Sequence, residues 1–132
     1  MKELHDMYKE VDYENLFNNR IDYLEAMSQV FGKDDMRMEI HTDERAWQIF
    51  GLPRISTEKE TIEKMLKAVD KPYNGLTLCT GSLGSNQNND ICGIIEAAKG
   101  RIPFAHVRNL NYNNPSDFEE AANLSADGSV AM

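Results

Sequence analysis

The sequence predicts a parallel α/β fold. Three observations predict it. Helical and strand patterns alternate along the chain. Each strand pattern is a short, mostly apolar run with turn residues nearby. Repeated strand–helix–strand order implies a parallel sheet with right-handed crossovers.

The elements follow in order. Phe17, Ile21, Leu24, Met27 and Phe31 recur on one helical face, which predicts a helix over residues 13–31 with Gly32 as its stop. Residues 36–40 read as the first strand, ending at His41. Residues 42–56 contain Gly51 and Pro53 and read as a loop, with one helical turn near residues 47–50. Thr57-Glu58-Lys59-Glu60 reads as a capping box opening the second long helix. Ile62, Met65, Leu66 and Val69 form its buried stripe, and Pro72 ends it. Residues 76–79 are the second strand, ending at Cys79.

Gly81-Ser82-Leu83-Gly84-Ser85-Asn86 then reads as a glycine-rich turn. A third helix carries Ile91, Ile94, Ile95 and Ala98 on its apolar face and stops at Gly100. Cys92 lies in it and reads as core or interface. Residues 103–107 form the third strand, with Pro103 at its first position, where a missing N–H costs least. From Asn109 onward the composition is polar, and the tail offers little to bury.

At 132 residues the chain suits one modest domain, residues 1–132. Hydrophobic residues make up 41% and charged residues 27%, a globular composition. The net charge of −8 argues against binding to nucleic acid or anionic membrane, because the field repels both. The two cysteines, Cys79 and Cys92, form neither a CxxC pair nor a disulfide framework, which points to a reducing compartment. No apolar run spans a bilayer. The acidic start Met1-Lys2-Glu3-Leu4-His5-Asp6 is unlike a signal peptide. The expectation is a cytoplasmic protein. Three strands and three helices leave much of a parallel sheet bare, and a complete eight-stranded barrel needs about 250 residues. The chain therefore reads as a section of a larger α/β fold, or as a protomer that pairs with itself or another segment.

Three metal-capable side chains end the three strands: His41, Cys79 and His106. In a parallel sheet the carboxyl ends of strands share one rim, so these residues meet there. Imidazole and thiolate together suit a divalent transition metal. The plain alternative is a buried cysteine and two hydrogen-bonded histidines, since the spacing matches no compact zinc motif. The loop after Cys79 suits either an anion-cradling turn or an ordinary βα turn; it lacks the dinucleotide and Walker spacings. Arg108 follows His106 by two residues and suits either a substrate carboxylate or a structural salt bridge. Asp43 and Glu44 are candidate acid–base or hydroxyl-contact residues, or else solvated loop acids.

Several runs carry a family resemblance: Ile49-Phe50-Gly51-Leu52-Pro53-Arg54-Ile55, Asn74-Gly75-Leu76-Thr77-Leu78-Cys79-Thr80-Gly81-Ser82-Leu83-Gly84 and Arg101-Ile102-Pro103-Phe104-Ala105-His106-Val107-Arg108-Asn109. Phe118-Glu119-Glu120-Ala121-Ala122-Asn123 with Asp127-Gly128-Ser129 continues it. Over essentially its whole length the chain resembles the D-mannonate dehydratase family. The resemblance implies a (β/α)8 TIM barrel of the xylose isomerase-like kind. It implies dehydration of D-mannonate, a small anionic sugar acid, to 2-keto-3-deoxy-D-gluconate in hexuronate breakdown, with Mn²⁺ or Fe²⁺. It also implies that His41, Cys79 and His106 are metal ligands, with a fourth ligand, an aspartate, in a Pro-Asp-His-Gly motif that residues 1–132 lack.

By the same resemblance the chain corresponds to strands five to seven. Self-association or the missing barrel segments would then cover its sheet. The family's His-Pro-Asp-Asp-Pro-Pro loop is here His41-Thr42-Asp43-Glu44-Arg45-Ala46, and a family histidine is replaced by Asn123, which cannot shuttle a proton near neutral pH. Two rivals remain. One is a truncated, non-catalytic paralogue. The other is a sugar isomerase or epimerase on the same barrel, which the Cys-Thr-Gly-Ser-Leu-Gly match disfavours.

Overall fold

The computed structural model describes residues 2–33, 35–122 and 128–130. Helices α1 (Lys2–Tyr8), α2 (Tyr13–Ala26) and α3 (Ser28–Lys33) precede strand β1 (Met38–His41). Helix α4 (Lys59–Ala68), strand β2 (Asn74–Cys79), helices α5 (Thr80–Gly84) and α6 (Ile91–Ala97) and strand β3 (Phe104–His106) follow. Strands β4 (Asn109–Asn114) and β5 (Asp117–Ala121) close the order. β1, β2 and β3 form one sheet in that order, and both pairings are parallel. The expected βαβ architecture is therefore present.

The long first helix is two helices. The expected apolar face survives, with Phe17, Leu24 and Phe31 buried, but Met27 forms a turn between α2 and α3. Asp12 caps α2 by accepting from Asn15 N at 2.8 Å. Gly32 lies within α3 rather than beyond it. The capping box of α4 is one residue later than expected: Glu58 is the N-cap, and Thr61 Oγ1 accepts from Glu58 N. Ile62, Met65, Leu66 and Val69 are buried as expected. Ile94 and Ala98 are buried, but Ile95 is exposed and Cys92 is exposed, so the core role expected for Cys92 fails.

Strand alternation divides the sheet into two chemistries. Ile40, Leu76 and Leu78 share a core cluster with Ile62 and Leu66 of α4 and Ile94 of α6. The alternate positions carry Glu39, His41, Thr77, Cys79, Phe104 and His106. Central β2 is nearly all buried, whereas every residue of β3 is exposed and Phe104 is 58% exposed. The flanks of a parallel sheet are thus left uncovered among the described residues.

Three further differences concern loops. No helical turn forms over residues 47–50. Phe50 and Gly51 instead have φ of +55° and +73°, and an isolated bridge joins Ile49 to Leu52. Positive φ at both central residues is the primed turn that matches strand twist. The glycine-rich turn after Cys79 is the short helix α5. The polar stretch from Asn109, in which no strand was expected, forms an antiparallel hairpin, β4–β5. Ser129 N donates to Leu110 O at 2.6 Å and Val130 N to Asn109 Oδ1 at 3.0 Å, so the chain returns along β4.

Asn74 joins sheet and helix. Its buried Nδ2 donates to Met65 O at 3.2 Å and Val69 O at 3.0 Å, completing the carboxyl end of α4. Asn74→Ala leaves both carbonyls without that donor. A stability loss of about 1–3 kcal/mol is expected, to be read from the urea midpoint at unchanged m-value.

Candidate metal centre

Register sets the site. His41 pairs with Thr77, and Cys79 pairs with His106. Thr77 and Cys79 are two residues apart and face the same side, as do Phe104 and His106. All three metal-capable side chains therefore meet at one carboxyl rim. One ligand atom from each of His41, Cys79 and His106 lies within 4.8 Å of the other two. The imidazole rings cross edge-on with centroids 5.9 Å apart.

Local contacts orient each group. His41 Nδ1 is 2.7 Å from Thr42 O. A carbonyl only accepts, so Nδ1 carries the hydrogen and Nε2 presents its lone pair. Such a backbone partner is the usual companion of a metal-binding imidazole. Cys79 is fully buried. Its Sγ accepts from Ser82 N at 3.4 Å and lies 3.8 Å from His106 Nδ1. The donor set, two imidazoles and one thiol at one rim, fits a divalent transition metal.

The loop after β1 is anchored residue by residue. Asp43 neither projects as a free acid–base group nor is solvated. Its carboxylate takes Arg54 Nη1 at 3.1 Å, Ile55 N at 3.2 Å, Ser56 N at 3.0 Å and Ser56 Oγ at 3.0 Å. Glu44 accepts from Ser82 Oγ at 3.3 Å and Arg108 Nη1 at 2.9 Å. The Arg45 guanidinium lies 5.8 Å from the Trp47 ring centroid and 5.5 Å from that of Phe118. Ala46 N donates to Ser85 Oγ at 2.9 Å.

Arg108 lies beyond β3, so strand alternation does not aim it. Thr80 does: its Oγ1 donates to Arg108 O at 2.7 Å and accepts from Arg108 N at 2.8 Å. The side chain crosses Gly81, where an added Cβ would lie 2.9 Å from Arg108 Cβ. Its guanidinium pairs with Glu44 and, through Nε and Nη2, with both carboxylate oxygens of Glu120. The structural salt bridge is thus formed. His5 is exposed on α1, away from the cluster. Asn123 lies outside the described residues.

Sequence reasoning missed Ser82, Arg45, Trp47, Phe118 and Glu120. The available signal was the hairpin: Leu110, Tyr112, Phe118 and Glu120 occupy alternate positions around Pro115-Ser116.

A parallel βαβ layer with a His–Cys–His cluster at its carboxyl rim defines the class of this protein: an α/β chain with a metal-capable donor set. Comparison narrows the class. The profile of D-mannonate dehydratase (UxuA) matches residues 1–132. The mannonate dehydratase of Brachyspira hyodysenteriae is 52% identical over 132 residues, covering 100% of this chain and 37% of that protein. The mannonate dehydratase of Thermotoga neapolitana is 50% identical over 131 residues, covering 98% of this chain and 36% of that protein. The crystal structure of mannonate dehydratase from Streptococcus suis serotype 2 superposes with a TM-score of 0.89 at 34% identity, covering 98% of this chain and 37% of that one. The chain belongs to the D-mannonate dehydratase family and spans 36–37% of the length of these relatives.

The charge network has a definite pH response. Burial pushes the Glu44 carboxyl up, but the hydrogen bond and charge of Arg108, with Ser82 and His41, hold it below its ordinary value. The Arg108 guanidinium is raised, first by Glu44 and then by Glu120. A depressed carboxyl contributes stability above its unfolded value and loses it as pH falls through the folded one. The stability that Glu44 contributes is therefore expected to be present at neutral pH and to be lost as pH falls below the ordinary carboxylate range, read from urea midpoints across pH. Glu44→Gln removes the Glu44 part of that transition.

Proposed function

We propose that this chain is the section, strands five to seven, of a (β/α)8 barrel that dehydrates D-mannonate to 2-keto-3-deoxy-D-gluconate. The carrying observation is the convergence of His41, Cys79 and His106 on one rim in a chain of this family. The division of the sheet into a helix-packed apolar face and a polar face supports the barrel reading, because barrel strands present one face to helices and one to the interior. The sheet's uncovered flanks are where the remaining barrel segments, or a second copy, would pair.

His41 Nε2, Cys79 Sγ and His106 would hold a divalent cation, Mn²⁺ or Fe²⁺. A bound cation supplies Lewis acidity to substrate oxygens. The protein's own groups do the rest. The Thr42 carbonyl fixes the His41 tautomer, and the Ser82 N–H steadies the sulfur. Asp43 holds the loop rather than moving protons. Arg108 faces the anionic end of the substrate. The reaction removes the C2 proton and expels the C3 hydroxyl as water, and the acid–base pair lies on other segments of the barrel. The unpaired cysteines Cys79 and Cys92 support a reducing, cytoplasmic compartment. Among the described residues no helix is long and apolar enough to cross a membrane.

A second reading is a non-catalytic paralogue, which a chain spanning 37% of its relatives also suits. Calorimetry with Mn²⁺ separates the two. Binding is expected, and Cys79→Ser and His106→Ala should each weaken it by more than the roughly 10–100-fold that loss of an outer partner costs. A folded chain that binds no Mn²⁺ puts the second reading first.

A further inference from the structure

The inner face of the β4–β5 hairpin grips the rim through two cations. Leu110 pairs with Glu120 and Tyr112 with Phe118, so these four side chains share one face. Leu110 is buried, and the Tyr112 hydroxyl donates to the Gly84 carbonyl of α5. Phe118 covers Arg45, with Trp47 edge-on to it at 6.1 Å and 89°. Two residues on, Glu120 takes Arg108 side-on. Both arginines reach the loop that leaves the rim at His41: Arg45 belongs to it, and Arg108 holds Glu44. The hairpin is therefore clasped to the same loop that orients the first metal-capable side chain.

The Glu120 link is built to exchange. The Glu120 side chain is 61% exposed and that of Glu44 65% exposed, whereas that of Arg108 is only 19% exposed. The Arg108 backbone is held by Thr80 and its side chain lies against Gly81, while its carboxylate partners stand in water. Exposed ion pairs are individually weak and screened. A small molecule offering two carboxylate oxygens matches the donor fork that Glu120 now occupies.

We propose that Glu120 is an internal competitor for Arg108, and that a small-molecule carboxylate takes its place there, freeing the β5 edge of the hairpin from Arg108. Glu120 thereby sets the affinity for the acid group and couples its arrival to the loop carrying His41. The inference rests on the reading of this rim as a sugar-acid site and names the device that regulates it.

Trp47 lies inside the clasp and reports it directly. The full chain is titrated with D-mannonate and with D-gluconate, and separately with D-mannose and with sodium chloride at matched ionic strength, each with and without Mn²⁺. The sugar acids are expected to shift Trp47 emission saturably, and mannose and chloride to leave it unshifted. Glu120→Gln should start part-shifted and lower the half-saturating acid concentration by about two- to fivefold, the change that an exposed ion pair represents. Arg108→Gln should abolish the response while circular dichroism stays unchanged. An equal response to chloride overturns the proposal. So does no response to either acid, or a Glu120→Gln midpoint that is unmoved or raised. The Mn²⁺ arms keep the two readings apart: an acid response without Mn²⁺ binding sinks the metal-centre reading alone, and Mn²⁺ binding without an acid response sinks the clasp alone.

Discussion

The parallel register of β2 between β1 and β3 is the constraint on which the rest depends. It fixes the level of Cys79 against His106 and of His41 against Thr77. A one-residue slip in either pairing turns a metal-capable side chain to the opposite face. The register is held from the helical side. Leu76 and Leu78 pack with α4 and α6, and Asn74 ties β2 to the end of α4. Burial of an apolar face thus specifies the placement of a polar one.

A second layer of order comes from the rim loop. Residues 42–46 have no regular structure, yet most of their polar groups find partners on other elements: Asp43 on the returning limb, Glu44 on α5 and Arg108, and Ala46 on the Ser85 hydroxyl. Loops that carry function need this kind of anchoring, because nothing in their own backbone pattern fixes them. Where the family resemblance implies three prolines, this chain has Thr42, Arg45 and Ala46. Rigidity that proline would supply by restricting φ is supplied here by contacts instead.

Much of this was legible in the sequence. The βαβ order, the buried stripe of α4 and the three metal-capable side chains at strand ends follow from periodicity, because each depends on neighbours within a few residues. What was not legible depends on distant partners. Met27 breaks a continuous apolar pattern, and no local residue announces the break. The α4 N-cap is Glu58 rather than Thr57, because Thr61 closes a box there: its Oγ1 accepts from Glu58 N and donates to Glu58 O. The hairpin was hidden by its asparagines, whose weak strand preference is overridden by the burial of Leu110 and Asn109. Arg108 lies past the end of β3, and its partners Glu44 and Glu120 lie 64 and 12 residues away in sequence.

The unequal burial of the two thiols has a practical side. Cys79 is sealed beneath the rim, while Cys92 stands in solvent on α6. Thiol-reactive reagents select by access. A maleimide dye or spin label will therefore attach to Cys92 first, leaving the Cys79 sulfur untouched. The native chain thus carries a single addressable handle, and distances from it to the hairpin become measurable without removing a cysteine.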